Sequence, residues 1–230
     1  MEIHSLRHRG GNFPMKILFT LCVFSILFFA LLHATPDKSS IQARYEKAKL
    51  NRISLRKKMK QLPFAQQSAL WTDYVALQLA PVWYGTLWDF NGTSEIPQEG
   101  AIACGYFVTT ILRDAGYPIQ RVKLAQCSSE QMIRQLTTQR AYFNQVSFEE
   151  FIRAMLSKGK SLSIIGLDNH TGFLYGDGKK LWFIHSSFVG TGRVCSEDAS
   201  QCGILKGSAY KVVGFISQDT QFIKRWMTGN

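Results

Sequence analysis

The 230-residue sequence has no CxxC pair, no Gly-rich phosphate loop, no serine-nucleophile motif and no internal repeat or low-complexity tract. The first absence, with no metal-ligand cluster elsewhere in the spacing, argues against a zinc site, since such sites draw their thiolates from closely spaced pairs, and no metal is expected. The second removes the ordinary nucleotide-binding loop. Acidic residues are also scarce, 16 against 27 Lys and Arg, for a formal charge of +11. That excess does not lie on the body of the chain. Residues 38–60 carry nine Lys/Arg against the single acid Glu46, whereas residues 61–230 carry 15 against 13. A nucleic-acid-binding domain clusters its charge on the folded part, so nucleic acid is not an expected partner.

Histidine is rare too, with five in the chain. What is present is a 46% hydrophobic, 13% aromatic composition, enough for a real core and against disorder over most of the length. The N-terminus reads as targeting sequence: Arg7, Arg9 and Lys16 precede an apolar run from Ile17 to Leu32, broken at Thr35-Pro36. A basic stretch before an apolar one fits an export signal, cleaved or kept as an anchor. The expected organisation is a signal or membrane anchor over 1–35, a basic helical stalk over 36–62 that can lie on an anionic surface, and a folded domain over 63–230. Export places the domain in the periplasm or cell envelope, where Cys195 and Cys202, separated by a short polar loop, can close a disulfide.

Within the domain, Phe64 to Leu79 carries helical spacing and Pro81 is expected to end it. Phe107, Val108, Ile111, Leu112 and Ala115 repeat at i, i+3, i+4 intervals, with Gly116 as the stop. Capping-box signals, Ser128 with Gln131 and Ser147 with Glu150, open two further helices. After Gly159 the pattern turns to strands, at Leu162–Leu167, His170–Tyr175, Lys180–His185 and Tyr210–Ile216. Helices followed by an antiparallel sheet is the α+β signature.

Cys104 falls at the head of the Phe107 helix, where the dipole and free N–H groups stabilise a thiolate. Asp177-Gly178 is the favoured pair for a two-residue hairpin turn. With that loop, Gly176 pairs with Lys179 and His170 faces His185, their Cβ atoms about 5 Å apart. Such a pair supplies a base with an orienting partner. Leu174, Leu181, Gly172 and Phe183 continue that face, which is expected to pack on the Cys104 helix. Cys127 stands in a loop before a helix cap, where it can pair or stay buried.

The runs GTLWDFNGTS, ACGYFV and HTGFLYGDGKKLWFIHSS, in order over roughly residues 84–188, resemble the NlpC-type cell-wall peptidases. The resemblance implies a papain-like fold, N-terminal helices packed on an antiparallel sheet, with Cys104 as nucleophile, His170 as base and His185 as orienting residue. It also implies an oxyanion held by the Cys104 backbone N–H, hydrolysis of an amide bond in peptidoglycan or a related envelope peptide, and no cofactor. The chain departs from the family pattern at Trp88, where a Tyr is usual, and at Ala103 and Gly105, where Asp and Ser are usual. Tyr84, Trp88, Asp168 and Asn169 are the candidate substrate contacts. Acyl transfer or thioester hydrolysis on the same site, and a catalytically silent envelope-binding module, are the alternatives.

Overall fold

The computed structural model describes residues 37–229. The signal or anchor expected over 1–35 lies outside them. Among the described residues no helix is long and apolar enough to cross a membrane.

The first element among the described residues is α1 (Lys38–Met59), and it is no separate stalk. Ile41, Tyr45, Ala48 and Met59 are buried in the main core. The Tyr45 hydroxyl donates to Asp114 Oδ2 at 2.7 Å, and the Arg56 guanidinium donates to the Gly116 carbonyl while lying over the Trp226 ring. The boundary expected at residue 62 is therefore corrected, since the compact unit begins at Lys38. The charge count hid this because only one face of α1 is apolar. Next comes α2 (Phe64–Asp73), which runs on through a π-helical turn to Leu79 and a 3-10 turn, Ala80–Trp83. Pro81 thus sits inside the terminal turn, and the helical run ends two residues after it, at Trp83.

An irregular segment leads to α3 (Cys104–Asp114), and then come α4 (Arg121–Ala125) and α5 (Ser129–Leu136). The short strand β1 (Arg140–Tyr142) and α6 (Phe148–Leu156) follow. Both capping boxes are present as read. Gly116 stops α3 with φ +90°, its N–H on the Arg113 carbonyl. The remaining elements are β2 (Lys160–Leu167), β3 (Thr171–Asp177), β4 (Leu181–Ser186), β5 (Val194–Asp198), α7 (Gly203–Gly207), β6 (Lys211–Gly214) and α8 (Thr220–Thr228).

The fold is α+β. Among the described residues six strands form one open antiparallel sheet in the order β1-β6-β2-β3-β4-β5. Alternation along the strands supplies two cores. Ile164, Phe173 and Ile184 join Phe107, Val108 and Ile111 of α3, together with α1, α2 and α8, on one face. Ile165, Leu174, Leu181 and Phe183 join Phe151 and Met155 of α6 and Leu205 of α7 on the other. The face of Leu174 and Phe183 therefore packs on α6, and α3 lies on the opposite side of the sheet from them.

The β3–β4 register also differs from the expectation. Gly176 pairs with Leu181 and Phe173 with Ile184, so Gly178-Lys179 is the loop. Gly178 has φ +99°, and the Asp177 carboxylate accepts from the Lys179 and Lys180 N–H groups. That arrangement uses Asp177 as an acceptor and puts the glycine at the first loop position.

Candidate active site

His170 precedes β3, just after the Asp168-Asn169 turn that joins it to β2. His185 is the penultimate residue of β4 and pairs with Cys195 of β5. The shifted register leaves the two histidines off a direct cross-strand pair. A shift of two residues keeps each on its face, and the rings still meet: His170 Nε2 is 2.8 Å from His185 Nδ1. Gly172 makes room for this, because a Cβ there would stand 2.7 Å from the Phe183 ring and 2.8 Å from the His185 Cβ. The His185 ring stacks on Phe183 at 4.0 Å, which fixes its plane.

The sequence reading missed the next member. His185 Nε2 lies 2.7 Å from Glu197 Oε1 on β5. Nothing in the spacing reveals Glu197, because only the β4–β5 pairing brings it to His185. Its carboxylate accepts, so His185 carries its proton on Nε2 and leaves Nδ1 as acceptor. His170 then carries its proton on Nε2 and donates it to His185. The remaining lone pair is on His170 Nδ1, which is buried and has no hydrogen-bond partner in the protein.

Cys104 opens α3, and Ala103, which precedes it, offers no side-chain cap. Cys104 and His170 line the same two cavities, of about 430 and 800 Å³. Burial pushes the Cys104 thiol above its ordinary range, outweighing the backbone N–H groups of Thr171, Gly105 and Cys104 that pull it down. Burial likewise lowers His170 to about 4, and burial with the neighbouring His170 lowers His185 to about 3. Burial thus favours a neutral thiol and neutral imidazoles over a thiolate at the helix start, because desolvation outweighs what the first-turn amides return.

The smaller cavity is also lined by Cys127, Glu130, Asp168, Asn169 and Tyr210. Cys127 is a free thiol, within reach of the Lys123 carbonyl and the Gln135 amide. The larger cavity is aromatic: Trp88, Phe90, Tyr106 and Phe188 line it, with Asn169 at its edge. Phe188, which the sequence reading passed over, sits between Trp88 and the His170 ring, 6.0 and 5.2 Å from them. The Trp88 indole N–H is buried there without a partner.

One expected contact is corrected. Tyr84 lines neither cavity and packs against the main core, with its hydroxyl near Ser196. Asp168 lines the smaller cavity as expected, and its carboxylate also accepts from the Ser208 hydroxyl and the Ala209 and Tyr210 N–H groups, which holds a loop together. Gly105 has a steric reason: a Cβ there would stand 2.8 Å from the Ala125 carbonyl oxygen, so no larger residue fits without moving α4.

The disulfide expected between Cys195 and Cys202 is not formed, and both are free thiols. Cys202 caps α7 through its sulfur. Cys195 Sγ lies 3.6 Å from His185 Nε2 instead. Comparison with protein-family models, with curated proteins and with solved structures finds no match to this chain.

Proposed function

We propose that the chain is an exported papain-like cysteine hydrolase of the NlpC type, which cleaves an amide bond in an envelope peptide through a thioester acyl-enzyme. The observation that carries the reading is the file of close contacts from the Glu197 carboxylate through His185 to His170, in which an acceptor at one end sets the tautomers of both rings. It leaves one buried imidazole nitrogen, His170 Nδ1, without a partner, on a residue that shares two cavities with Cys104.

In this reaction the Cys104 sulfur attacks the carbonyl carbon as its proton passes to His170 Nδ1. The imidazolium so formed is stabilised through His185 by the Glu197 carboxylate. His170 returns the proton to the leaving amine, and water, deprotonated by the same nitrogen, releases the acid. Backbone N–H groups of the first turn of α3 serve the developing oxyanion. Because thiol and imidazole start neutral, the proton moves during attack and no preformed ion pair is needed.

A second reading has a specific observation behind it. The cavity of Trp88, Phe90, Tyr106 and Phe188 is more apolar than a sugar-peptide needs, and it favours an acyl chain as the group delivered to Cys104. Acyl transfer or thioester hydrolysis uses the same residues.

Purified protein offered muropeptides in one series and acyl thioesters in another separates the two. Turnover of either class should vanish in Cys104→Ala while thermal stability stays close to that of the parent. Turnover retained by Cys104→Ala would overturn both readings.

A further inference from the structure

The far end of the hydrogen-bonded file, away from Cys104, has a chemistry of its own. Pairing of β4 with β5 sets Cys195 opposite His185, and Glu197, two residues on, returns to the same side. His185 Nε2, Cys195 Sγ and a Glu197 carboxylate oxygen all lie within 4.8 Å of one another. No spacing rule finds this group, because its members meet only through the sheet.

The distances suit a tetrahedral ion. Ordinary zinc bond lengths place nitrogen and sulfur ligands ~3.6 Å apart and nitrogen and oxygen ligands ~3.4 Å apart. Here Nε2 and Sγ already stand 3.6 Å apart. Nε2 and Oε1 are 2.7 Å apart, so the carboxylate must withdraw by roughly 0.7 Å to reach that geometry. The Glu197 side chain is 39% exposed and can swing. A cavity of about 450 Å³, lined by Cys195, Glu197, Ser187 and Thr191, opens onto two of the three donors and leaves space for a water as fourth ligand.

We propose that His185, Cys195 and Glu197 form a binding site for a divalent cation of the zinc class, and that its occupancy switches off the base at His170. One imidazole, one thiolate and one carboxylate with an open position is a donor set that zinc accepts. The switching, which rests on the reading under Proposed function, follows from lone pairs. A cation on His185 Nε2 requires the ring proton on Nδ1. That proton then points at His170 Nε2, which must accept, and the His170 proton moves to Nδ1. Each imidazole still holds one proton, and the Cys195 thiol proton leaves to solvent. The nitrogen that would take the Cys104 proton is now an N–H donor.

Cobalt(II), a spectroscopic stand-in for zinc, tests the site in the full chain purified under a non-thiol reductant. A thiolate-to-cobalt charge-transfer band should grow to saturation at one ion per chain and bleach when zinc is added. It should persist in Cys104→Ser and Cys127→Ser and be lost in Cys195→Ser. No band, or a band that survives Cys195→Ser, overturns the site. Alkylation of Cys104 followed by mass spectrometry tests the switch: zinc should slow it on the order of 10²-fold in the parent and leave Cys195→Ser unaffected. A Cys195-dependent band with no change in Cys104 labelling keeps the cation site and overturns its coupling to His170.

Discussion

His170 and His185 are joined nitrogen to nitrogen at 2.8 Å, and neither ring is positioned by that bond alone. Glu197 decides which nitrogen of each ring carries hydrogen, and Phe183 decides the tilt of the second ring. Four expectations follow from this pair and from the scaffold around it.

Acid should unfold the protein through these imidazoles before it acts on the carboxylates. A free histidine titrates near about 6.5, whereas burial lowers His170 to about 4 and His185 to about 3. The unfolded chain therefore takes up protons first as the pH falls. The stability these groups contribute is fully present above about 6.5 and is lost progressively as the pH drops toward 4. Glu130, held at about 2 by Tyr210, Tyr142 and Arg134, acts in a lower window. Urea midpoints across this range should fall steadily in the parent and less steeply in His170→Ala. A parent midpoint that stays level between pH ~7 and ~4.5 would contradict neutral burial of the pair.

Glu197→Gln keeps the size of the side chain but offers an amide that can donate as well as accept. His185 is then free to hold its proton on either nitrogen, and His170 Nδ1 is no longer reserved as the acceptor. Turnover should fall on the order of 10²–10⁴-fold with little change in KM. Thermal stability should stay near that of the parent, since Glu197 is partly exposed. A loss confined to KM would instead mean that Glu197 contacts substrate.

Gly172→Ala probes the close approach beneath the pair. The added Cβ would meet Phe183 at 2.7 Å and the His185 Cβ at 2.8 Å, and both side chains are fully buried. Overpacking of this kind costs roughly 1–3 kcal/mol, measurable by urea unfolding. Activity should be lost more completely than that cost explains, because the rings are driven apart. Activity equal to the parent would show that the strands can separate without disturbing the imidazoles.

Tyr45→Phe tests whether α1 belongs to the domain. The lost hydroxyl donates at 2.7 Å to Asp114, a buried carboxylate that keeps the Arg113 guanidinium as its other partner. Leaving one buried acceptor site short costs about 1–3 kcal/mol. A solvated stalk would give no change in the unfolding midpoint.

Much of the site was legible because its parts are local or periodic. The stripe of α3 marked Cys104 as a helix-opening residue, and the two capping boxes are contained in four-residue runs. The β3–β4 hairpin was legible to within a two-residue shift, which even-numbered periodicity forgives. What stayed hidden depends on pairings that no local pattern encodes. The strand β5 reads as polar loop, VCSED, yet it carries Glu197 and Cys195 to His185. Likewise, α1 looked like a charged stalk because its buried residues are outnumbered by lysine and arginine. The face of the sheet that meets α3 was misassigned because Leu174 and Phe173 are equally apolar and both faces are covered.

The place of β6 in the sheet has a consequence for how the chain is made. Its four residues, Lys211–Gly214, come late in the chain but lie between β1 and β2, joining them both. Until the ribosome has delivered that segment, the growing protein holds two unjoined pieces of sheet with an exposed edge on β2, an invitation to wrong pairing. The hairpin that bears the two histidines closes on itself much sooner, from residues close in sequence. The histidine pair can thus be assembled well before the sheet is closed, and the last tenth of the chain acts as the clasp.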